Sequence, residues 1–427
     1  MNETHKRGWL LVVMGLTSLP AIYFAAVPSP SDPLSSWELY ISAILGYVGT
    51  VLLLWMYIIG NKSVIGLLFR DLAPILKIHA WIGKYAVPLL LLHPLLVTLS
   101  YGENLLYMFV PHIDASFERH VTLGRISLFV LIGVWITSAV IRGKIKYRPW
   151  KYLHFFGYLA VPFTLLHIPL IGTQFLSHPG MKAYYFALVV AFLAFTYLRA
   201  RSLFNLDKSR YEITRSEPIG DNTFLVTMRP LTDPIRPPQP GQYVYIKLGY
   251  ISEDHPFSVV DYHETDGSVT LAYRAYGRFT ELLSKVNAGA QVFVSGGYGT
   301  FTHEIADTSM PVVFVAGGIG ITPFVSHLLG ENDNRSHLIY ANRSQASSLF
   351  LEPLRKRLGK RMTELYSNQP GISPQRIDEA TIIATNTDSA STLYYLCGPA
   401  GMIKSAQRAL LHLGVPKRHI VTEEFMF

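Results

Sequence analysis

Six apolar stretches occupy the first two hundred residues, at about 9–27, 38–60, 73–100, 121–141, 152–172 and 182–199. Each is long enough, or nearly so, to cross a hydrocarbon core about 30 Å thick as a helix. Helix is the required form, because backbone amides in lipid must be satisfied within their own segment. The net charge of +8 does not point to nucleic acid, because the cations sit in short loops between the apolar stretches. His5-Lys6-Arg7, Lys62 and Arg70, Arg142 to Lys151, and Arg199 with Arg201 form one set of loops. The alternate loops carry Asp32, Glu38, Glu103, Asp114 and Glu118. Basic loops stay in the cytoplasm, which predicts a multi-pass cell-membrane protein, surrounded by lipid, with everything after residue 200 cytoplasmic. The first stretch also has features of a cleaved secretory signal, with Lys6-Arg7 before the apolar core and Ala25-Ala26 after it. The other five spans keep their orientation either way. The single cysteine, Cys397, excludes an intrachain disulfide.

Four histidines lie deep in these stretches: His79 and His93 in the third, His154 and His167 in the fifth. Fourteen residues separate the first two and thirteen the second two. At about 1.5 Å per residue each interval is roughly 20 Å, so two adjacent helices would offer one facing pair near each membrane surface. A lone buried histidine is often satisfied by a backbone carbonyl. Four ionisable groups in spans, paired by depth, point instead to function, and bis-histidine ligation of two b-type haems is the chemistry that fits. His79 and His154 would be the inner pair, His93 and His167 the outer. One difficulty is angular: thirteen steps at about 100° leave His167 about 140° from His154 on an ideal helix. The fifth helix is therefore expected to depart from regular geometry near Pro162, which lies between them. Gly83 and Gly157 could make room for a porphyrin. Arg70, Lys77, Arg148 and Trp150 are candidates to hold the inner haem's carboxylates, and Arg125 to serve the outer haem or a substrate.

After Arg201 the composition becomes that of a soluble protein. Short alternating runs from about 208 to 305, such as TFLVTMRP, GQYVYIKL and SVTLAYRAYG, predict an antiparallel barrel. From 311 the order becomes strand, glycine turn, helix, beginning with PVVFVAGGIGITPFVSHLL, which predicts a doubly wound parallel sheet. The expected architecture is a multidomain membrane protein. An α-helical bundle of six spans (1–205) precedes an antiparallel β-barrel (206–307) and an α/β doubly wound domain (308–427).

HPFS at 255–258, YRAYGRFT at 273–280, AGGIGITPF at 316–324, CGPAGM at 397–402 and the terminal EEFMF occur in this order. Together they resemble the ferredoxin–NADP reductase fold. With the histidine-bearing spans in front, the chain resembles the NADPH oxidase and ferric reductase superfamily, as a prokaryotic-type member. The resemblance implies FAD, NADPH and two b-type haems, with His79, His93, His154 and His167 as iron ligands. It places His255 at the flavin diphosphate and Phe257 as a wall of the ring, with Pro256 between them among the cofactor-binding residues. Ser258 would sit near the flavin N5, Tyr273 and Arg274 along the flavin and its phosphate arm, and Gly277 with Thr280 at the pyrophosphate. Gly318, Gly320, Thr322 and Pro323 would cradle the nicotinamide nucleotide, bordered by Cys397, Gly398 and Pro399. Phe427 would stack on the flavin until nicotinamide displaces it. Ser258, Cys397 and Phe427 would thus stand at the hydride transfer itself. Arg343, just after the second strand of the sheet, favours NADPH, since a cation there pairs with a 2′-phosphate; NADH is the alternative.

The implied activity is that of an NAD(P)H oxidase or ferric reductase. Electrons would pass from cytosolic NADPH through FAD and both haems to an external acceptor, O2 giving superoxide or ferric iron. Val97 occupies the position where many superoxide-forming members carry a further histidine, which weakens the case for a dedicated oxygen centre. Calcium-binding loops and a long regulatory N-terminal region are not found, so constitutive activity is expected. The alternatives are an electron-supply module for a membrane or extracytoplasmic partner, and a haem-bearing sensor with an inactive reductase half.

Overall fold

The computed structural model describes residues 3–250, 252–305, 308–330, 335–385 and 388–423. The chain divides into two compact units, Met1–Arg201 and Ser202–Phe427.

The first unit is helical. Its helices are α1 (Glu3–Tyr23), α2 (Leu34–Ile59), α3 (Lys62–Leu68), α4 (Ala73–Leu90), α5 (Leu92–Ser100), α6 (Ser116–Trp135), α7 (Tyr147–Phe155), α8 (Gly157–Ile171), α9 (Thr173–Ser177) and α10 (Pro179–Leu203). Among the described residues five segments are long and apolar enough to cross a membrane: Leu34–Ile59, Ala73–Ser100, Ser116–Val140, Tyr147–Ile171 and Pro179–Leu203. The sequence predicts six. α1 does form, but Glu3, Lys6 and Arg7 take its first turns and leave only Gly8–Tyr23 apolar. Lys6 bonds the Leu68 carbonyl at 2.9 Å, and Arg7 pairs with Asp71 at 2.9 Å. The charged end of α1 is therefore tied to the α3–α4 region.

α2 is the central helix, packed against α1, α4, α5 and α8. Its buried face includes Val51, Leu54, Tyr57 and Ile58. Gly49 admits the Leu90 side chain where a Cβ would collide with it.

Both histidine-bearing spans are broken. The third divides at Leu91, between α4 and α5. Pro94 explains this break, because it has no N–H to offer the carbonyl four residues back. The fifth divides at Phe156, between α7 and α8. There Phe156 N–H donates to the Leu153 carbonyl and Leu159 N–H to the Phe156 carbonyl, both one residue short of the α spacing. The expected irregularity is present but displaced from Pro162, which lies inside α8. Gly157, a weak helix former, sits at the break instead. The fourth span loosens into a π turn over Ile136–Val140, where Ile141 N–H reaches the Ile136 carbonyl at 2.9 Å.

The second unit begins with six strands: β1 (Ser209–Gly220), β2 (Thr223–Pro230), β3 (Tyr243–Lys247), β4 (His255–His263), β5 (Ser268–Arg274) and β6 (Gln291–Tyr298). They close into an antiparallel barrel in the order β1-β2-β5-β4-β3-β6. The inward positions are filled by Ile213, Val226, Met228, Val244, Ile246 and Leu271. The short helix α11 (Arg278–Leu283) lies between β5 and β6. Five parallel strands follow: β7 (Val312–Gly317), β8 (Ser336–Asn342), β9 (Met362–Tyr366), β10 (Leu393–Cys397) and β11 (Ile420–Glu423). Their order is β11-β10-β7-β8-β9. Helices α12 (Thr322–Leu329), α13 (Leu351–Leu358), α14 (Glu379–Ile383) and α15 (Ala400–His412) connect them. β7 is buried along its whole length, as its unbroken apolar run requires of a parallel strand covered on both faces.

Tyr211 anchors the barrel. Its hydroxyl donates to the Gly267 carbonyl at 3.2 Å and accepts from Ile235 N–H at 3.1 Å. Tyr211→Phe leaves that amide unsatisfied, at a cost of about 1–3 kcal/mol. The expected outcome is a lower denaturation midpoint for the full-length protein, followed by intrinsic fluorescence. Burial pushes the Tyr211 phenol up to about 12. The unfolded chain releases this proton near pH 10 while the folded one keeps it, so this group's contribution falls as pH rises above about 10. That slope should be absent in Tyr211→Phe.

Candidate functional site

The four imidazoles come together in the pairs that their depth predicts. The ring centres of His79 and His154 are 5.9 Å apart, and those of His93 and His167 are 6.4 Å apart. Each ring is oriented through Nδ1. His79 Nδ1 faces the Met56 carbonyl at 3.1 Å, His93 Nδ1 the Ser42 carbonyl at 2.8 Å, and His167 Nδ1 the His120 carbonyl at 2.8 Å. A carbonyl can only accept, so Nδ1 carries the proton and Nε2 keeps its lone pair. His93 Nδ1 also has the Ser42 hydroxyl at 3.0 Å, whereas His154 Nδ1 has a hydroxyl as its partner and no carbonyl, with Ser138 Oγ at 3.0 Å.

These pairs suit an iron porphyrin. A metal–imidazole bond of about 2.0–2.1 Å plus roughly 1.1 Å from nitrogen to ring centre puts the ring centres of a metal-bridged pair about 6.3 Å apart. Two ligands suffice when a macrocycle supplies the remainder. A bare ion needs more, and among the described residues no group of three or more His, Cys, Asp or Glu converges. Nδ1–H held by a carbonyl is also the usual outer support of a ligating histidine.

Three glycines seat the rings. A Cβ at Gly124 would meet the His167 ring at 2.5 Å, one at Gly46 the His93 ring at 2.9 Å, and one at Gly60 the His79 ring at 3.2 Å. Gly83 and Gly157 do not border a histidine; a Cβ there would meet Met56 and Val134. Trp150 stacks on the His154 ring at 5.1 Å. Arg125 is only 4% exposed, with its guanidinium 4.4 Å from the Tyr107 ring and 3.7 Å from Glu118. Arg70, Lys77 and Arg148 are exposed.

The second unit holds a cavity of about 530 Å3. It lies over the C-terminal ends of β7, β8, β9 and β10, through Gly317, Asn342, Ser367 and Pro399. The strand order reverses between β7 and β10, and that crevice is where open α/β sheets bind ligands. Gly318 has φ +56 and Gly398 φ +154. A Cβ at Gly398 would meet Gly317 Cα at 3.0 Å, so the two strand ends approach backbone to backbone. Arg343 and Pro399 line the cavity, and Arg274 enters it from the barrel. Gly320, Thr322, Pro323 and Cys397 lie beneath the loop. A Cβ at Gly320 would collide with the Cys397 carbonyl. Thr322 donates to the Ile319 carbonyl at 3.0 Å, and Pro323 opens α12. Cys397 is 0% exposed, and burial pushes its thiol well up.

The flavin candidates cluster on β4, β5 and α11. His255 stacks on Phe279 at 3.9 Å, and Phe257 meets Tyr273 edge-on at 5.6 Å. Pro256 is exposed, and Ser258 is buried opposite Tyr243. The Tyr273 hydroxyl is buried without a hydrogen-bond partner, and burial pushes that phenol up. An orphaned buried donor beside an aromatic wall is what a bound polar ring would satisfy. Gly277 has φ +93, and Thr280 fixes this turn by accepting from Tyr276 N–H and donating to the Gly277 carbonyl. Phe427 lies outside the described residues.

Three family matches divide the chain in the same way. Residues 45–165 match the family described as "Ferric reductase like transmembrane component", 211–320 "FAD-binding domain", and 314–408 "Oxidoreductase NAD-binding domain". The chain has the architecture of the NADPH oxidase and ferric reductase superfamily. It is similar over 235 residues, at 25% identity, to the propane 2-monooxygenase reductase component of Rhodococcus jostii, covering 51% of this chain and 63% of that one. The corresponding Mycolicibacterium smegmatis component is 28% identical over 44% of this chain and 59% of its own length. A flavohemoprotein of Rhodopirellula baltica is 27% identical over 45% of this chain and 54% of its own. The chain thus spans little more than half the length of these relatives.

Sequence reasoning missed several residues in this superfamily frame. Asp221, Asn342, Ser367 and Arg376 line the cavity, and Ser138, Gly46, Gly60 and Gly124 surround the imidazoles. Arg376 was open to discovery, because it lies in the loop after β9 and loops after parallel strands form such sites. The cavity generates a direct expectation. A Cβ at Gly317 would meet Met402 Sδ at 2.5 Å and Pro399 Cδ at 2.8 Å. Gly317→Val should abolish nicotinamide nucleotide binding while flavin content stays at the wild-type level. Nucleotide titration and the flavin absorbance of the same preparation check this.

Proposed function

We propose that this protein carries electrons across a membrane, from cytosolic NADPH to an acceptor on the far side. The observation that supports this best is the pairing of four intramembrane imidazoles at two depths in a chain that also has FAD- and NAD-binding domains. The basic loops orient the second unit to the cytoplasm by the positive-inside rule.

Each part of the chain has a defined task. Gly317, Gly318 and Gly398 admit a pyrophosphate to the strand ends. Arg343 and Arg376 face the same cavity and favour the extra phosphate of NADPH. Phe257 and Tyr273 wall a flavin ring, with Ser258 beside it. Hydride transfer needs the two rings stacked with water excluded, which the apolar wall provides. When bound, FAD accepts two electrons together and releases them singly, and b-type haem carries one at a time. His79 and His154 hold the inner iron, and His93 and His167 the outer.

The acceptor is a small molecule reached from the outer pair, and O2 giving superoxide is the first reading. Val97 supports a second, reduction of ferric iron, because it puts an apolar side chain where an oxygen centre would carry a further histidine.

The test uses the full-length protein in lipid nanodiscs with FAD and NADPH. Superoxide-dismutase-sensitive cytochrome c reduction is expected, and fast ferric-chelate reduction in its place selects the second reading. No NADPH oxidation with either acceptor would sink both. His79→Ala is expected to remove about half of the low-spin b-type absorbance, and unchanged intensity would overturn the ligand assignment.

A further inference from the structure

His154 is the one member of the four whose Nδ1 partner is a side-chain hydroxyl alone; His93 Nδ1 also has the Ser42 hydroxyl at 3.0 Å but keeps the Ser42 carbonyl at 2.8 Å, and the other two face carbonyls. The hydroxyl at His154 belongs to Ser138, in the middle of the π turn Ile136–Val140. Single π turns inside α-helices recur at functional sites, because the extra residue re-aims a side chain. Ser138 has a second neighbour. Trp150 Nε1 lies 3.1 Å from its oxygen, and the Trp150 ring stacks on His154 at 5.1 Å and 28°. The Arg142 guanidinium in turn sits 4.3 Å from the Trp150 ring centre.

The directions of these bonds follow from the groups. An indole N–H only donates, so Ser138 Oγ accepts from Trp150. For His154 to offer Nε2 to a metal, its Nδ1 must carry the proton, so Ser138 Oγ accepts from His154 as well. One oxygen therefore serves two donors. The cation over the indole withdraws charge from it and strengthens its claim on that oxygen. What remains for His154 is a weaker acceptor than the carbonyls that hold the other three rings.

We propose that Ser138 and Trp150 are positioning residues that set the donor strength of His154, and through it the potential of the inner iron. This rests on the haem reading above. A stronger acceptor at Nδ1 makes the imidazole more basic and favours the ferric state; a weaker one favours the ferrous state. The two residues act in opposite senses. Ser138→Ala removes the acceptor and moves the inner midpoint to higher potential. Trp150→Phe keeps the stacked ring but removes the competing donor, leaving Ser138 a better acceptor and moving the same midpoint lower. Ser138→Thr restores the hydroxyl.

The experiment is a spectroelectrochemical titration of the haem α-band in the full-length protein, with low-spin ferric EPR on the same samples. The expected result is one midpoint of two displaced, upward in Ser138→Ala and downward in Trp150→Phe, with Ser138→Thr near wild type and the other midpoint unmoved. Midpoints and EPR signals identical to wild type in both variants overturn the proposal. So does displacement of both variants in the same direction, which is the mark of a merely structural role. If Ser138→Ala loses haem, Trp150→Phe and Ser138→Thr decide between these outcomes. Wild-type protein without a bis-histidine low-spin spectrum would refute the haem reading itself, which is a separate and visible failure.

Discussion

An imidazole placed in a hydrocarbon environment must have its N–H satisfied, and the first unit is arranged around that requirement. Three of the four rings discharge it on a backbone carbonyl of a neighbouring helix, at Met56, Ser42 and His120. A helical carbonyl is already engaged by its own ladder, so each ring must come in close, at a defined angle. Gly46, Gly60 and Gly124 allow this approach by having no Cβ in the way. Helix packing, ring orientation and the freedom of Nε2 are therefore one geometric condition. Replacing a single glycine would disturb all three together.

The same condition accounts for the break in the fifth span. His79 and His93 are held from α2, and His154 and His167 from the fourth span and α6. A straight helix cannot present two rings thirteen residues apart to one side. The break at Phe156 lies two residues from His154, so the chain adjusts its phase next to a ring rather than midway between the two.

Much of this was legible in the residues. Apolar run length marked the spans, and the strand-turn-helix pattern after 311 marked the parallel sheet. The histidine intervals paired His79 with His154 and His93 with His167 before any contact was known. What was not legible depended on neighbours distant in sequence. The first apolar stretch reads as a span through residue 27 with Lys6 and Arg7 outside it, whereas α1 ends at Tyr23 and takes both cations into its first turns, held by Leu68 and Asp71 some sixty residues on. Pro162 drew attention because proline is the strongest local breaker, yet the helix yields at Phe156 beside an ordinary glycine. Gly46, Gly60 and Gly124 carry no motif; only the ring packed against each marks it. In the second unit, motif residues such as Thr322 and Gly320 support the loop from beneath, while Arg376 and Asp221, outside every motif, stand in the cavity.

The nucleotide cavity draws its wall from two constructions that share no strand ladder. Asp221, Thr223 and Arg274 belong to the barrel, and the remaining lining residues to the parallel sheet and its loops. The barrel is closed on itself and the sheet is complete without it. Widening the cavity therefore breaks no β-ladder hydrogen bond and costs only the packing of one body against the other. That packing is a buried one: Val260 and Ala272 of the barrel share a cluster with Phe314 and Phe324. The cavity wall is thus set by apolar packing where the barrel meets the sheet, so a change at Val260 or Ala272 would reshape it without touching a strand ladder.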